Sequence, residues 1–357
     1  MIGDALLPAA DAALVCTIYD PPRARRAWML SEVLPEGATR YYSLARWALV
    51  DALRASGVGP GDPVLVPGLV CREVLAAISV LGASPAFYHV TSQLGAVLAA
   101  DGGRSAKAVV AVNYFGFPQE LDTFRQYCAR TGAALIEDNA HGLLSRDESG
   151  QWLGSRGDAG VFSFRKTIAV PGGGALVLRR RQEMPPAAPV RPVRRVLLRH
   201  HTKQACRRVA GRLGPVRAAA AISAIRRVRQ SFVPESTGSS HRDDETRIPI
   251  APDPPAFVSR HITAADPALE SERRRALYGL ASRILEAADA VPVYPRLPPH
   301  VVPYGYPVFA APSRVPDITA RLARHGLPLL RWPDLPEAVA SAAPEHYRHL
   351  MVVPFLW

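Results

Sequence analysis

Short apolar runs recur along the first half of the chain, and they have the composition of buried strands. The first is VLVPG, from Val64 to Gly68, which is rich in β-branched residues and follows the turn GVGPGD. We predict two further strands of this kind, SPAFYHV at 84–90 and AKAVVAVN at 106–113. Another apolar run ends at Asp138, and one more ends near Ser163.

The segments between these runs have apolar residues at helical spacing. This period predicts helices over 44–56, 72–82 and 118–132, with glycines at the ends, and over SQLGAVLAA at 92–100. Strands that alternate with helices predict an α/β fold, in which a parallel sheet is covered on both faces. Ligands of such sheets bind at the carboxyl ends of the strands.

The second half has a different organisation. Residues 179–230 are rich in arginine and interrupted by prolines, which we interpret as a basic helical arm. Residues 236–247 have the composition of a linker. A long amphipathic helix is predicted over 269–289, and the rest alternates short strands with helices. We therefore predict a large domain over 1–235, which includes the arm, and a small C-terminal α+β domain over 248–357.

Composition narrows the class of protein. The chain has 357 residues, of which 48% are hydrophobic, enough for a sizeable core. The net charge of +12 favours an anionic partner, but no aromatic residue between Arg179 and Arg229 is available to stack on bases, so nucleic acid is not expected. The four cysteines have no metal-ligand spacing, and we predict no metal site. With neither a signal peptide nor a membrane span in the sequence, we expect a cytoplasmic protein.

The stretch from Ala133 to Leu178 holds the candidate chemistry. Lysine occurs at only three positions in the chain, Lys107, Lys166 and Lys203, although Lys and Arg together number 43. Lys166 lies just past an apolar run and is followed by three glycines. A lysine amine can lose its proton and attack a carbonyl, whereas arginine stays protonated. Lys166 is therefore a candidate nucleophile.

Several motifs together resemble the DegT/DnrJ/StrS-type family of sugar aminotransferases. They are, in chain order, GVGPGD with VLVPG, GASPAFYHV, VNYFGFPQELD, ALIEDNAHG, LGSRGDAGVFSF and GGGALVL. The resemblance implies a fold-type I aminotransferase-like architecture, with a mostly parallel sheet of the seven-stranded type in the large domain. It also implies pyridoxal 5'-phosphate as cofactor and a homodimer.

The resemblance also assigns roles to individual residues. Lys166 would be the Schiff-base lysine and Asp138 the acid at the pyridine nitrogen, while His141 would lie near the phenolic oxygen of the cofactor. Ser163 would donate to the phosphate. The remaining cofactor-binding candidates, at the start of the first long helix and after VLVPG, are Ser43, Ala45, Arg46 and Cys71.

The chain departs from the family pattern at three of these places. Ser163 and Lys166 are three positions apart in S-F-R-K, whereas S-F-x-x-x-K is usual, which indicates a short-loop branch. The phosphate-binding helix begins with YYSLAR, so Ala45 and Arg46 would supply backbone donors, with Ser43 nearby. Cys71 stands where an aromatic residue often stacks on the cofactor ring.

The resulting prediction is an aminotransferase that acts on a nucleotide-linked keto-sugar, with glutamate as amino donor, in polysaccharide or secondary-metabolite biosynthesis. A lysine at position 166 favours transamination over a related dehydration. Two alternatives stay open: a catalytically silent family member that serves as a binding or scaffold protein, and a basic protein that binds nucleic acid or a membrane surface. Peripheral membrane contact through 179–230 belongs to the second alternative.

Overall fold

The structure is a computed structural model of the whole chain. The residues that it describes are 7–22, 32–98, 105–170, 172–179, 202, 205, 209, 212, 214–217, 220, 239–252, 265–286, 288 and 290–356. Most of the predicted basic arm, 179–230, lies outside the described residues.

The large sheet contains eight strands in the order β1-β8-β7-β6-β5-β2-β3-β4. β2, β3, β5, β6 and β7 run parallel, whereas β1, β4 and β8 pair antiparallel with their neighbours. Every residue of β5, β7 and β8 is buried, which explains their unbroken apolar composition. The strands are β1 Ala38–Tyr42, β2 Pro63–Pro67, β3 Ser84–Val90, β4 Ala96–Val97, β5 Ala108–Val112, β6 Ala134–Asn139, β7 Ala159–Ser163 and β8 Gly174–Leu178.

The helices of the N-terminal part are α1 Ala9–Cys16, α2 Ala45–Ala55, α3 Leu75–Ser79, α4 Asp122–Thr131 and α5 Phe164–Thr167, and short 3₁₀ turns occupy Arg72–Val74 and Tyr114–Gly116. Of these, α2, α3 and α4 lie within the segments 44–56, 72–82 and 118–132 that were predicted to be helical. α4 ends at Gly132, whose φ of +73° is the left-handed conformation that glycine adopts at low cost. The mixed α/β class and the mostly parallel sheet are thus confirmed.

The helix predicted over 92–100 is wrong. The chain turns at Leu94, where the N–H donates to the carbonyl of Thr91, and then forms β4, which pairs antiparallel with β3. A short run such as GAVL satisfies a helical and a strand pattern equally, and β3 offers it an unpaired edge. This addition makes the sheet eight-stranded instead of seven-stranded.

A second, antiparallel sheet lies in the C-terminal part, in the order β11-β12-β10-β9. Its strands are β9 Val291–Pro292, β10 Gly305–Phe309, β11 Leu330–Arg331 and β12 Leu350–Pro354. The helices of this part are α6 Ser239–Thr246, α7 Pro267–Leu285, α8 Val315–Arg324, α9 Glu337–Ala340 and α10 Glu345–His349. The long predicted helix is α7, which Asp266 caps by accepting from the N–H groups of Ala268 and Leu269. Residues 239–246 of the expected linker are helical.

The two sheets share one continuous hydrophobic core. Tyr347 of α10 accepts a hydrogen bond from the backbone N–H of Val90 at the end of β3, at 2.8 Å. Arg72, after β2, pairs with Asp334, with 2.9 Å between Nε and Oδ2. These contacts hold the C-terminal part against the carboxyl ends of the large sheet. Among the described residues, no helix is long and apolar enough to cross a membrane.

Candidate active site

A cavity of about 290 Å³ opens at the carboxyl ends of the parallel strands. This is the edge at which the alternation of strands and helices predicts a ligand. The loop after β2, the ends of β5, β6 and β7, helix α5 and the first turn of α2 form its walls. Trp332 and Asp334 from the C-terminal part complete it.

The cavity brings together seven of the eight residues named from the sequence: Ala45, Arg46, Cys71, Asp138, His141, Ser163 and Lys166. Ser43 is the exception. Its hydroxyl donates to the carbonyl of Ala251, and its carbonyl accepts from the N–H of Gly173. Ser43 therefore ties the end of β1 to two other segments, and the structure does not bring it into the cavity wall.

The contracted S-F-R-K segment still delivers Lys166 to the cavity. β7 ends at Ser163, and α5 begins at the next residue, so a single helical turn separates the two side chains. The N–H of Phe164 donates to the carbonyl of Gly173, which anchors the start of this turn. Lys166 Nζ lies 5.3 Å from the ring centroid of Tyr304. The three-residue spacing is thus compatible with an amine in the cavity.

Asp138 lies near the end of β6, with its carboxyl group open to the cavity and otherwise enclosed by protein. It accepts a hydrogen bond from the backbone N–H of Ala140 at 3.0 Å. Burial raises the pKa of the Asp138 carboxyl, while the Ala140 N–H and the charge of Lys166 act in the opposite direction. A protonated nitrogen in the cavity would act in the same direction as the charge of Lys166 and favour the ionised carboxylate.

His141 is a neutral imidazole held in a stack of aromatic rings. Its ring lies 4.2 Å from that of Tyr304 at an interplanar angle of 7°, and 5.7 Å from that of Phe115. Nδ1 accepts from the backbone N–H of Phe115, which places the ring proton on Nε2. Burial lowers the pKa of His141 well below its usual range, and the charges of Lys166 and Arg274 lower it further. His141 can therefore donate a hydrogen bond through Nε2.

Arg46 gives one end of the cavity a positive charge. Its Nη1 is buried and has no hydrogen-bond partner among the described residues. Burial lowers the pKa of Arg46, and the neighbouring charge of Arg165 lowers it too, whereas Glu73 raises it. The charges of Arg46 and Arg165, together with the unpaired N–H group of Arg46, favour an anionic ligand at this end of the cavity.

The first turn of α2 adds backbone donors at the same end. This helix begins at Ala45, and no side chain of the described residues caps it. Gly174 of β8 runs so close to it that a Cβ at this glycine would lie 2.6 Å from Ala45 N. The backbone of β8 and the start of α2 thus form a narrow cradle that leaves no room for a side chain.

Comparison with known proteins identifies this arrangement. Residues 44–211 match the model of the DegT/DnrJ/EryC1/StrS aminotransferase family, a segment that contains all seven cavity residues named from the sequence. Over these residues, the chain is similar to this family. DegT/DnrJ/EryC1/StrS enzymes are aminotransferases that depend on pyridoxal 5'-phosphate, so the chain is an aminotransferase with that cofactor.

Solved structures of aminotransferases share the fold over nearly the whole chain. The aminotransferase TlmJ from Streptoalloteichus hindustanus is 21% identical, with 99% of this chain and 93% of TlmJ covered and a TM-score of 0.59. DesV from S. venezuelae, solved in complex with a ketimine intermediate, is 18% identical, with 97% and 89% covered and a TM-score of 0.56. DesI, solved in the presence of its TDP-sugar product, is 18% identical, with 99% and 88% covered and a TM-score of 0.56.

The residues of the cavity fit this cofactor. The unpaired Arg46 N–H and the uncapped start of α2 suit its phosphate, because both offer donors to an anion. Asp138 suits the pyridine nitrogen, and Lys166 is an amine in the same cavity. Burial raises the pKa of the Cys71 thiol to about 12, so this residue packs as a neutral group and is not a second nucleophile.

The sequence alone does not point to Trp332, Asp334 and Tyr304. Trp332 and Asp334 line the cavity, and Tyr304 stacks on His141. They come from loops of the C-terminal part, where the sequence shows only strand-like runs and prolines. Only the packing of the two sheets brings these loops to the cavity, and no local pattern marks them.

Proposed function

We propose that this aminotransferase aminates a nucleotide-linked keto-sugar and that glutamate supplies the amino group. The observation that carries the proposal is the convergence of Lys166, Asp138, Ser163 and Arg46 in one cavity of a chain similar to the DegT/DnrJ/EryC1/StrS family. The sugar-nucleotide class is supported by the family and by DesI, whose structure was solved with a TDP-sugar product. Polysaccharide or secondary-metabolite biosynthesis is the proposed setting.

Lys166 and Asp138 have the central roles in the proposal. When bound, pyridoxal 5'-phosphate supplies an electron sink that stabilises negative charge at the carbon bonded to nitrogen. Lys166 holds the cofactor through its aldehyde and, once released by an incoming amine, moves a proton to or from that carbon. Asp138 keeps the pyridine nitrogen protonated, because a carboxylate in an enclosed cavity stabilises a positive charge beside it.

The cationic end of the cavity takes the phosphate in this proposal. Ser163 contributes its hydroxyl, Ala45 and Arg46 contribute backbone N–H groups, and the Arg46 guanidinium adds a charged donor. The guanidinium offsets the loss of Ser43, whose hydroxyl is committed to Ala251. His141 donates from Nε2 to the phenolic oxygen, and Cys71 lies beside the ring.

The proposal also includes a homodimer in the cytoplasm. The dimer is what the family resemblance implies, and light scattering of the purified protein measures it directly. The cytoplasmic location is supported by Cys16, Cys71 and Cys128, which are free thiols, as expected in a reducing compartment.

An absorbance spectrum of the cofactor-loaded protein before and after glutamate tests the proposal. We expect glutamate to convert bound cofactor to its amine form, and a nucleotide-linked keto-sugar to restore the aldehyde form. A panel of such sugars, with keto groups at different ring carbons, identifies the substrate. If glutamate converts the cofactor to its amine form and only keto acids restore the aldehyde form, the sugar-nucleotide proposal is contradicted. A spectrum that no amine changes would favour the catalytically silent alternative.

A further inference from the structure

Arg274 is a fully buried arginine of α7 whose side chain reaches the short helix α5, which carries Lys166. Its exposed fraction is 0%. Nη2 donates to the backbone carbonyls of Lys166, at 3.1 Å, and Thr167, at 2.8 Å. One guanidinium nitrogen from the C-terminal part therefore holds the end of α5.

The second terminal nitrogen of Arg274 holds the opposite wall. Nη1 donates to the carbonyls of Pro303, at 3.1 Å, and Tyr304, at 2.9 Å. Tyr304 is the residue whose ring stacks on His141 and lies 5.3 Å from Lys166 Nζ. The same side chain thus ties together the backbone of the amine and the backbone of the aromatic ring beside it.

Glu270 is the remaining hydrogen-bond partner of Arg274, and its carboxylate stabilises the positive charge of the guanidinium. Arg274 Nε donates to Glu270 Oε1 at 2.6 Å, and Arg273 pairs with the same carboxylate. Burial lowers the pKa of Arg274, and Glu270 raises it. The five N–H groups of the guanidinium have five acceptors, which a lysine, with three donors, cannot match.

We infer that Arg274 is a positioning residue for Lys166: it fixes the distance between the Lys166 backbone and the Tyr304 wall, so that the amine meets the cofactor aldehyde. The inference rests on the proposed role of Lys166. Arg274 is absent from the cavity wall, so it acts through the residues it holds. A displacement of about 1 Å at a reacting group can lower a rate on the order of 10²-fold.

The next residue along α7 supplies a matched control. Arg275 Nη1 donates to the carbonyls of Pro298 and Val301, both at 2.6 Å. Arg275→Met therefore removes an arginine of the same helix that also holds loop carbonyls of the C-terminal part, but those carbonyls belong to neither Lys166 nor Tyr304. If both variants form the covalent bond with the cofactor more slowly, the cause is a general loss of structure. If only the Arg274 variant is slower, the cause is the position of Lys166.

The test compares covalent and non-covalent binding in full-length wild type, Arg274→Lys, Arg274→Met and Arg275→Met. Deoxypyridoxine phosphate, which lacks the aldehyde, measures the phosphate and pyridine contacts. Pyridoxal 5'-phosphate, trapped with borohydride at timed intervals, measures the rate of bond formation with Lys166. Thermal unfolding is recorded for each protein, and Arg274→Lys is the variant retained if Arg274→Met does not fold.

We expect Kd for the analogue to change by less than about twofold in every variant. The rate of covalent bond formation should fall on the order of 10²-fold in Arg274→Met. The rate in Arg274→Lys should be intermediate, and the rate in Arg275→Met should be near that of wild type. Equal rates in the Arg274 and Arg275 variants, or a fall in analogue binding that parallels the fall in the covalent rate, would overturn the inference. Wild type that binds the analogue but forms no covalent bond would overturn the proposed role of Lys166 itself, and with it the inference.

Discussion

Replacement of Gly174 by alanine tests whether the backbone cradle at the start of α2 holds the cofactor phosphate. A Cβ at this position would lie 2.6 Å from Ala45 N, 2.7 Å from Ala45 Cα and 2.8 Å from the carbonyl oxygen of Phe162. Ordinary carbon contacts begin near 3.5 Å, so the backbones must separate by about 1 Å. Gly174 is paired with Tyr42 on one side and Ser163 on the other, which restrains β8 and leaves α2 to move.

The expected size of the effect follows from this displacement. A shift of about 1 Å breaks a charge-assisted hydrogen bond from Ala45 or Arg46, worth about 1.5–3 kcal/mol. Because each 1.4 kcal/mol is tenfold in Kd, the affinity for pyridoxal 5'-phosphate should fall about 10- to 100-fold. The overpacking itself should cost about 1–3 kcal/mol of unfolding free energy.

The assay titrates apo protein with pyridoxal 5'-phosphate and, separately, with pyridoxal, which lacks the phosphate. Affinity for pyridoxal should change much less, because the lost contacts are to the phosphate. Gly132→Ala is the control: its φ of +73° makes alanine unfavourable, yet no atom lies within 4 Å of the added Cβ, and it is absent from the cavity wall. A folded Gly174→Ala protein with unchanged affinity, or equal losses for both ligands, would refute the phosphate cradle.

Three further substitutions give distinct outcomes. Burial raises the pKa of Asp138, so folding favours its protonated form, and the stability that this form contributes is lost as pH rises through the folded-state pKa. Asp138→Asn should abolish transamination. In urea titrations of the apo proteins, the free energy of unfolding of Asp138→Asn should improve relative to that of wild type from acidic to neutral pH. Glu137, with 0% exposure, accepts from Arg156 Nη2 at 2.8 Å; Glu137→Gln should cost about 3–5 kcal/mol in the same assay, and a loss below about 1 kcal/mol would contradict a buried ion pair. Gly279→Ala, in the middle of α7 with 3.8 Å to the nearest atom, should raise the unfolding free energy by about 1 kcal/mol, and a lower Tm would refute that expectation.

The centre of the sheet was predictable because strands such as β5 and β7 are buried on both faces. Every residue of β5 and β7 is buried, so each appears in the sequence as an unbroken apolar run with a polar residue at its end. Those polar residues, such as Ser163, are the ones that the fold collects at one edge. β4 was missed because its two residues gain their conformation by pairing with β3, a contact that local periodicity does not encode.

The cavity could be predicted only in part. Lys166, Asp138 and His141 follow from motifs at the carboxyl ends of β6 and β7, and the structure brings them together. Ser43 was misplaced because the sequence does not reveal that Ala251 lies next to its hydroxyl. Tyr304 and Arg274 were missed for the same reason. Their contacts with Lys166 depend on how the C-terminal part packs, and the sequence of α7 indicates only an amphipathic helix.

Borohydride reduction of the cofactor-loaded protein, followed by mass spectrometry of its peptides, tests the central claim most directly. The chain offers only three lysines, so the position of the label has few possible outcomes. We predict that the reduced cofactor is attached at Lys166 and that Lys166→Arg, which still binds deoxypyridoxine phosphate, carries no label. Attachment at Lys107 or Lys203, or protein that binds the cofactor without any covalent label, would contradict the account.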